Sequence, residues 1–170
     1  VVASSALEQG MQPRMSCPEY YAPLDISDRR PFGEMTLKKA LTHSCNVYFA
    51  RLGVRLGETL AAQADAFGFN EPFPLLRGVP DASFRTLPSI AFAWRGSGGK
   101  GEGMRPFEPK DFQRNPKLVA QGSIGQNIVE STPLQMALVA AAIANDGILM
   151  QPRLVQRTGG VETEPKKRSR

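Results

Sequence analysis

The triplet Ser44-Cys45-Asn46 places a hydroxyl and a carboxamide two residues apart. A hydroxyl can relay a proton, and a carboxamide can both donate and accept a hydrogen bond. On an extended or turning backbone, residues at this spacing point to a similar side. Together they could hold a peptide amide beside a nucleophile. Taken without its neighbours, the triplet reads first as a helix-capping serine next to a surface amide. Metal chemistry has little support. There is one histidine, His43, and the two cysteines, Cys17 and Cys45, fit no zinc spacing. Neither a metal nor a cofactor is expected. Two cysteines are too few for a disulfide scaffold. They are expected to stay unpaired, because a bond from Cys45 would pull on the geometry of the triplet that contains it.

The segments that must position the triplet are short helices. Thr36 can cap one in which Leu37, Ala40 and Leu41 share a face. The next carries Val47, Ala50 and Val54, and Gly53 and Gly57 weaken its end. The triplet falls at the junction between the two. Glu58 to Phe67 reads as a third helix, and residues 1–9 as another, with Gly10 as its C-terminal cap. His43 reads as a structural residue at a helix end, and Cys45 as a side chain that packs inward.

Elsewhere the pattern is uneven. Residues 11–35, broken by Pro13, Pro18, Pro23, Pro31 and Gly33, read as irregular. Residues 68–121 are the least legible. Within them Arg95 to Gly103 has few side chains to pack and is expected to be a mobile loop, and Trp94 reads as packing or loop anchorage. Gln126 and Asn127 read as a turn. The clearest signal is Thr132-Pro133, an N-cap followed by a good first helical residue. From Leu134 to Ala144 only Gln135 is not apolar, so this helix is expected to be buried on most sides. Asn145-Asp146-Gly147 stops it.

Composition fits a single globular domain. The chain has 170 residues, 41% hydrophobic and 22% charged. Its net charge is +5, of which Lys166, Lys167, Arg168 and Arg170 supply +4. The body is nearly neutral, and residues 159–170 read as a flexible basic tail. No aromatic residue interleaves those charges, so nucleic acid is not an expected partner. Val1 to Leu7 carries no basic n-region of a signal peptide. No apolar run reaches the roughly 18–20 residues of a membrane span.

Several blocks, in order, resemble the transpeptidase domain of penicillin-binding proteins. Met35 to Gly53, with Ser44-Cys45-Asn46-Val47-Tyr48-Phe49 at its centre, is similar to the family's second motif region. Ser16-Cys17-Pro18-Glu19-Tyr20-Tyr21 resembles the cysteine-bearing turn that often precedes it. Gly122-Ser123-Ile124-Gly125-Gln126, Ser131 to Ala137 and Ile143 to Gly147 resemble its Gly-Gln turn and buried helix. Val1 to Gly10 resembles the helix that continues from its nucleophile motif.

The resemblance implies an α/β fold of the transpeptidase and serine β-lactamase type, an antiparallel sheet flanked by helices. This chain would carry mainly the helical lobe, with few short strands. It implies a peptidoglycan D,D-transpeptidase that works through an acyl-serine. In that reaction Ser44 would relay a proton to the leaving group, and Asn46 would bind the substrate amide. Implied partners are cell-wall stem peptides, β-lactam antibiotics and cell-wall synthesis proteins. The implied location is the extracytoplasmic face of a bacterial membrane, with the anchor outside this chain. Thr132-Pro133-Leu134-Gln135-Met136-Ala137 leans toward the monofunctional elongation or division enzymes.

Residues 1–170 are read as a partial domain without its Ser-x-x-Lys and Lys-Thr-Gly segments, inactive alone. Arg157-Thr158-Gly159 follows Leu154-Val155 too closely to serve as the third motif. A β-lactam sensor or β-lactamase on the same fold is the first alternative, and a catalytically silent interaction module is the second.

Overall fold

The computed structural model describes residues 1–75, 86, 88–94, 105–154, 157–158, 161–162 and 167. They fall into two compact units, Val1–Ala64 with Ala91–Glu130, and Asp65–Ile90 with Ser131–Arg170.

The first unit opens with helix α1 (Val2–Glu8), closed by Gly10 at a left-handed φ of 66°. Four strands of two or three residues follow: β1 (Met15–Cys17), β2 (Tyr20–Tyr21), β3 (Ile26–Ser27) and β4 (Gly33–Met35). The β2–β3 hairpin is nested inside the antiparallel β1–β4 pair, whose register sets Met15 against Met35 and Cys17 against Gly33. Residues 11–35 are thus more ordered than their prolines suggest. The order comes from backbone pairing between residues far apart in sequence, and such short strands leave almost no alternation to read. Met15 and Cys17 do face inward, with Ser16 outward.

β4 delivers the chain to Thr36, whose Oγ1 accepts from the Lys39 amide at 3.4 Å and starts helix α2 (Leu37–His43). Leu37 and Ala40 are buried. Leu41, expected on the same face, is 62% exposed. Leu41 lies only about 40° round the axis from Leu37, so its exposure reflects the lack of a covering neighbour among the described residues and not a different face of the helix. Helix α3 (Asn46–Leu56) comes next and is the centre of the unit's core, with Val47, Tyr48, Ala50 and Leu52 fully buried. Val54 is only half-buried. Helix α4 (Thr59–Ala66) forms where a helix was expected.

Two further helices stood in the illegible stretch. After the short β5 (Ala93–Trp94) and β6 (Arg105–Pro106) pair come α5 (Pro109–Arg114) and α6 (Pro116–Ser123). Both start with proline at the first helical position, where its fixed φ suits the helix and its missing N–H costs nothing. α6 packs directly on α3, and Gly53 is the contact. A Cβ on Gly53 would lie 1.8 Å from Ser123 Oγ and 2.4 Å from Ser123 Cβ. Gly53 therefore does more than weaken a helix end: it lets two backbones approach.

The second unit is built around helix α7 (Pro133–Ala144). Thr132 Oγ1 accepts from the Gln135 amide at 3.1 Å, and the Thr132 amide donates to Ser89 Oγ at 3.0 Å. The expected burial on most sides is not found. Leu138, Val139 and Ala142 are buried, but Met136 is 53% and Ile143 66% exposed. The one polar member faces inward, because Gln135 Nε2 satisfies the Phe67 carbonyl at 2.7 Å in a site with little water. Asp146 and Gly147 end the helix at left-handed φ values of 52° and 80°. Within the 159–170 tail, β8 (Val161–Glu162) pairs with β7 (Arg157–Thr158), and Lys167 bridges Met150. The other tail residues and the 95–103 run lie outside the described residues, as does the side chain of Trp94.

Candidate functional site

The site is the corner between α2 and α3. α2 closes through two reverse bonds, Ser44 N–H to the Leu41 carbonyl at 3.2 Å and Cys45 N–H to the Ala40 carbonyl at 3.0 Å. This is the Schellman pattern, which needs a left-handed residue at the position Ser44 fills. Ser44 has φ 55° and ψ 46°. Glycine is the usual occupant, and an L-residue there costs roughly 1–2 kcal/mol. The turn divides the triplet. Cys45 is fully buried, Asn46 half-buried and Ser44 exposed, its hydroxyl without a hydrogen-bond partner among the described residues. Ser44 thus holds a position where glycine is locally favoured, with its hydroxyl at the surface.

Asn46 is the first residue of α3, and its surroundings come from the β2–β3 hairpin. Asn46 Nδ2 donates to the Ser27 carbonyl at 3.1 Å. The next residue, Asp28, accepts from two backbone amides: Asn46 N–H on Oδ1 at 3.1 Å and Val47 N–H on Oδ2 at 2.8 Å. The Asp28 amide in turn donates to the Glu19 carbonyl at 2.8 Å. A carboxylate at a helix N-terminus is favoured by the unpaired amides and the helix dipole together. Cys45 Sγ accepts from Tyr48 N–H at 3.1 Å.

The cysteines are not free. Cys17 and Cys45 form a disulfide with a Cα–Cα distance of 6.5 Å, closing 28 residues of chain. The expectation of two unpaired thiols is overturned. Its premise was that a bond would distort the triplet. Here β1 turns Cys17 into the same interior toward which the left-handed Ser44 turn directs Cys45, so the bond braces the corner. The two sulfurs and an Asp28 oxygen lie within 4.8 Å of one another, a grouping that could hold a metal ion. With the sulfurs joined there is no thiolate to act as ligand.

The remaining neighbours tie α3 to the strands. Arg51 Nη1 donates to the Ser16 carbonyl at 3.0 Å, and its guanidinium lies over the Tyr21 ring, 4.8 Å from the centroid. Tyr48 Oη donates to the Pro13 carbonyl at 2.6 Å. Burial holds this phenol above its ordinary pKa, and Arg55 opposes the shift. His43 packs its ring on Phe32 at 5.3 Å, a structural role at a helix end. Gln126 and Asn127 lie at a turn, with Gly125 and Asn127 at φ 79° and 58°.

Of the residues singled out, Ser44 and Asn46 are brought to one corner. Asp28 and Ser27, which touch Asn46, were missed. They lie 18 and 19 residues upstream, and no local pattern marks an acid that caps a helix at that remove. A Ser-x-x-Lys spacing, expected to be missing from residues 1–170, does occur once. Ser97-Gly98-Gly99-Lys100 has it. Two glycines between the serine and the lysine disfavour the helix that would set both on one face. The run lies outside the described residues. No Lys-Thr-Gly occurs.

Comparison with known proteins agrees with the resemblance. The family described as penicillin binding protein transpeptidase domain matches residues 1–170. The peptidoglycan D,D-transpeptidase PbpA of Mycolicibacterium smegmatis is 33% identical over 94% of this chain, which spans 30% of that relative's length. The D,D-transpeptidase domain of a peptidoglycan glycosyltransferase from Eggerthella lenta superposes with a TM-score of 0.74 at 25% identity, covering 98% of this chain and 41% of that one. Penicillin-binding protein A of M. tuberculosis, in its imipenem acyl-enzyme complex, gives 0.66 at 25% identity, covering 99% and 37%. The expected fold class, mainly helical with a few short strands, is borne out. Residues 1–170 belong to the penicillin binding protein transpeptidase domain family.

Proposed function

We propose that this chain supplies the Ser-x-Asn corner of a serine-type peptidoglycan D,D-transpeptidase. The observation that carries the reading is Ser44 itself, an exposed serine held in a left-handed turn where glycine is the local choice. A stem-peptide carbonyl is attacked by a serine hydroxyl elsewhere in the protein, forming an acyl-serine and expelling D-alanine. Ser44 passes a proton to the departing amine. Asn46 holds the substrate amide through its carboxamide. An amine of a second stem peptide then attacks the acyl group, restores the serine hydroxyl and leaves the cross-link. β-Lactams acylate the same serine, in keeping with the imipenem acyl-enzyme of the M. tuberculosis relative. The names of the relatives favour transpeptidation over a sensor or a hydrolase. The protein acts outside the cytoplasm, where a disulfide such as Cys17–Cys45 persists.

The test is acylation of the full-length protein by a reporter β-lactam, followed by stopped flow. Ser44→Ala removes a proton-transfer group and is expected to slow acylation about 10²–10⁴-fold with little change in melting point. Normal acylation with a lowered melting point would reduce Ser44 to a helix cap. Residues 1–170 alone are expected to form no penicilloyl adduct by mass spectrometry. An adduct on Ser97 would identify Ser97-Gly98-Gly99-Lys100 as a working nucleophile.

A further inference from the structure

We infer that Asp28 is the positioning residue of this site, setting the aim of the Asn46 carboxamide through the start of α3. The inference rests on the transpeptidase reading and extends it to a residue outside the Ser-x-Asn motif. Asn46 and its neighbour Val47 are held by three hydrogen bonds, and all of their acceptors belong to two consecutive residues, Ser27 and Asp28, at the end of the β2–β3 hairpin. Asp28 Oδ1 receives the Asn46 amide, Asp28 Oδ2 receives the Val47 amide, and the Ser27 carbonyl receives the Asn46 side chain. The two amide bonds fix the direction in which α3 begins. The side-chain bond then fixes the carboxamide relative to that direction. Loss of the first pair frees the backbone on which the second depends.

A simple helix cap would need neither feature. α3 already has a local cap in Cys45 Sγ, which takes the Tyr48 amide at 3.1 Å. Asp28 adds acceptors for the two amides before it, and these belong to the motif residue Asn46 and the residue beyond. Asp28 is itself anchored, by its amide on the Glu19 carbonyl across the hairpin. The hairpin tip is tied as well, by Tyr20 Oη donating to Asp25 Oδ1 at 2.8 Å. The platform under Asn46 is therefore continuous from the β2 strand to the carboxamide.

The experiment is a double-mutant cycle in the full-length protein, read as the second-order rate of acylation by a chromogenic cephalosporin. Asp28→Asn keeps the shape but offers one acceptor where two amides need it. The rate is expected to fall about 10²-fold, the effect of misplacing a reacting group by about 1 Å. Asp28→Glu keeps the charge and moves the oxygens by one methylene, so it should retain the melting point and lose about tenfold in rate. The deciding measurement is Asp28→Asn in an Asn46→Ala background. If Asp28 acts through Asn46, the second substitution should cost less than twofold there. Thr132→Ala, which removes the α7 cap, should lower the melting point and leave acylation unchanged. Rates within twofold of wild type for both Asp28 variants, or the same loss with and without Asn46, would overturn the inference. A wild-type protein that no β-lactam acylates would sink the transpeptidase reading, and this inference with it.

Discussion

Helices α3 and α7 each take a cap from the residue before them but differ in what else holds their starts. α7 is capped by its own preceding residue, Thr132, and opened by Pro133. α3 takes its acceptors from Asp28, 18 residues upstream, and is braced by a disulfide to Cys17, 28 residues before Cys45. The α7 start has one distant support, the Thr132 amide on Ser89 Oγ. The α3 start has its local cap at Cys45 and, beyond it, two backbone amides held by Asp28 and a disulfide to Cys17. The corner proposed to carry chemistry is the one with more of its support from a distance, which lets its geometry be set independently of local helix preferences.

The largest test of this contrast is the disulfide. Closing a loop of this length is expected from chain entropy to stabilise by about 3.5 kcal/mol. Cys17→Ser with Cys45→Ser should lower the melting point by roughly 10 °C in a chain of this size. Thr132→Ala should cost about 1 kcal/mol, or roughly 3 °C. Thermal melts with and without reductant check both. Equal losses would mean that the α3 corner does not depend on Cys17.

This contrast also explains what could be read from the sequence. Thr36, Thr132, Pro133 and the Asn145-Asp146-Gly147 stop were legible because each acts within one turn of its helix. So were Ser44 and Asn46, through the blocks around them. Asp28, the Cys17–Cys45 bond and the strands between 15 and 35 were not, since each depends on a partner many residues away. α5 and α6 were missed for a different reason: at 6 and 8 residues each is too short to show a clear helical period. The exposed side of α7 was misjudged because an apolar composition says nothing about which side has a neighbour, and Gln135 was the side chain with a buried partner.

Glycines sharpen the comparison next. Gly53→Ala should destabilise by about 1–3 kcal/mol, because Ser123 occupies the space and the α3 and α6 backbones must separate. Gly147→Ala meets no atom within 4 Å and is opposed only by its left-handed φ of 80°. It should cost about 1–2 kcal/mol. Chemical denaturation of the two variants measures the difference. A tolerated Gly53→Ala would show that the α3–α6 contact has slack.

A pH dependence separates the helices as well. Tyr48 in α3 is buried with its phenol pKa raised, whereas residues 133–144 of α7 contain no ionisable side chain. A raised folded-state pKa gives stability that is complete below the ordinary tyrosine range, near pH 10. It is lost as pH climbs through the folded value. Stability should therefore decline above about pH 10, and Tyr48→Phe should flatten part of that decline. Denaturation midpoints between pH 8 and 11 test it. An unchanged slope in Tyr48→Phe would place the alkaline sensitivity elsewhere.

The smallest expected change in stability is the most informative, because its sign reverses. Ser44 sits at φ 55° and ψ 46°, at the helix end where glycine is the usual residue. Ser44→Gly removes the steric cost of the left-handed turn, roughly 1–2 kcal/mol, and adds the greater unfolded-state freedom of glycine, roughly 0.5–1 kcal/mol. The balance is a gain of about 0.5–1 kcal/mol, so the variant should melt slightly higher than wild type. The two reverse bonds to Leu41 and Ala40 use backbone amides only and should survive. The hydroxyl is gone, however, and acylation should slow by about 10²–10⁴-fold, as in Ser44→Ala. Ser44→Ala keeps a Cβ in the same strained turn, so it should show the rate loss without the gain in stability. Melting curves and acylation rates for the two variants make a matched pair. A protein that becomes more stable and less reactive at one position would show that Ser44 is retained for its hydroxyl against the preference of the helix end. A Ser44→Gly variant that is both more stable and normally acylated would leave no reason for a serine at this corner.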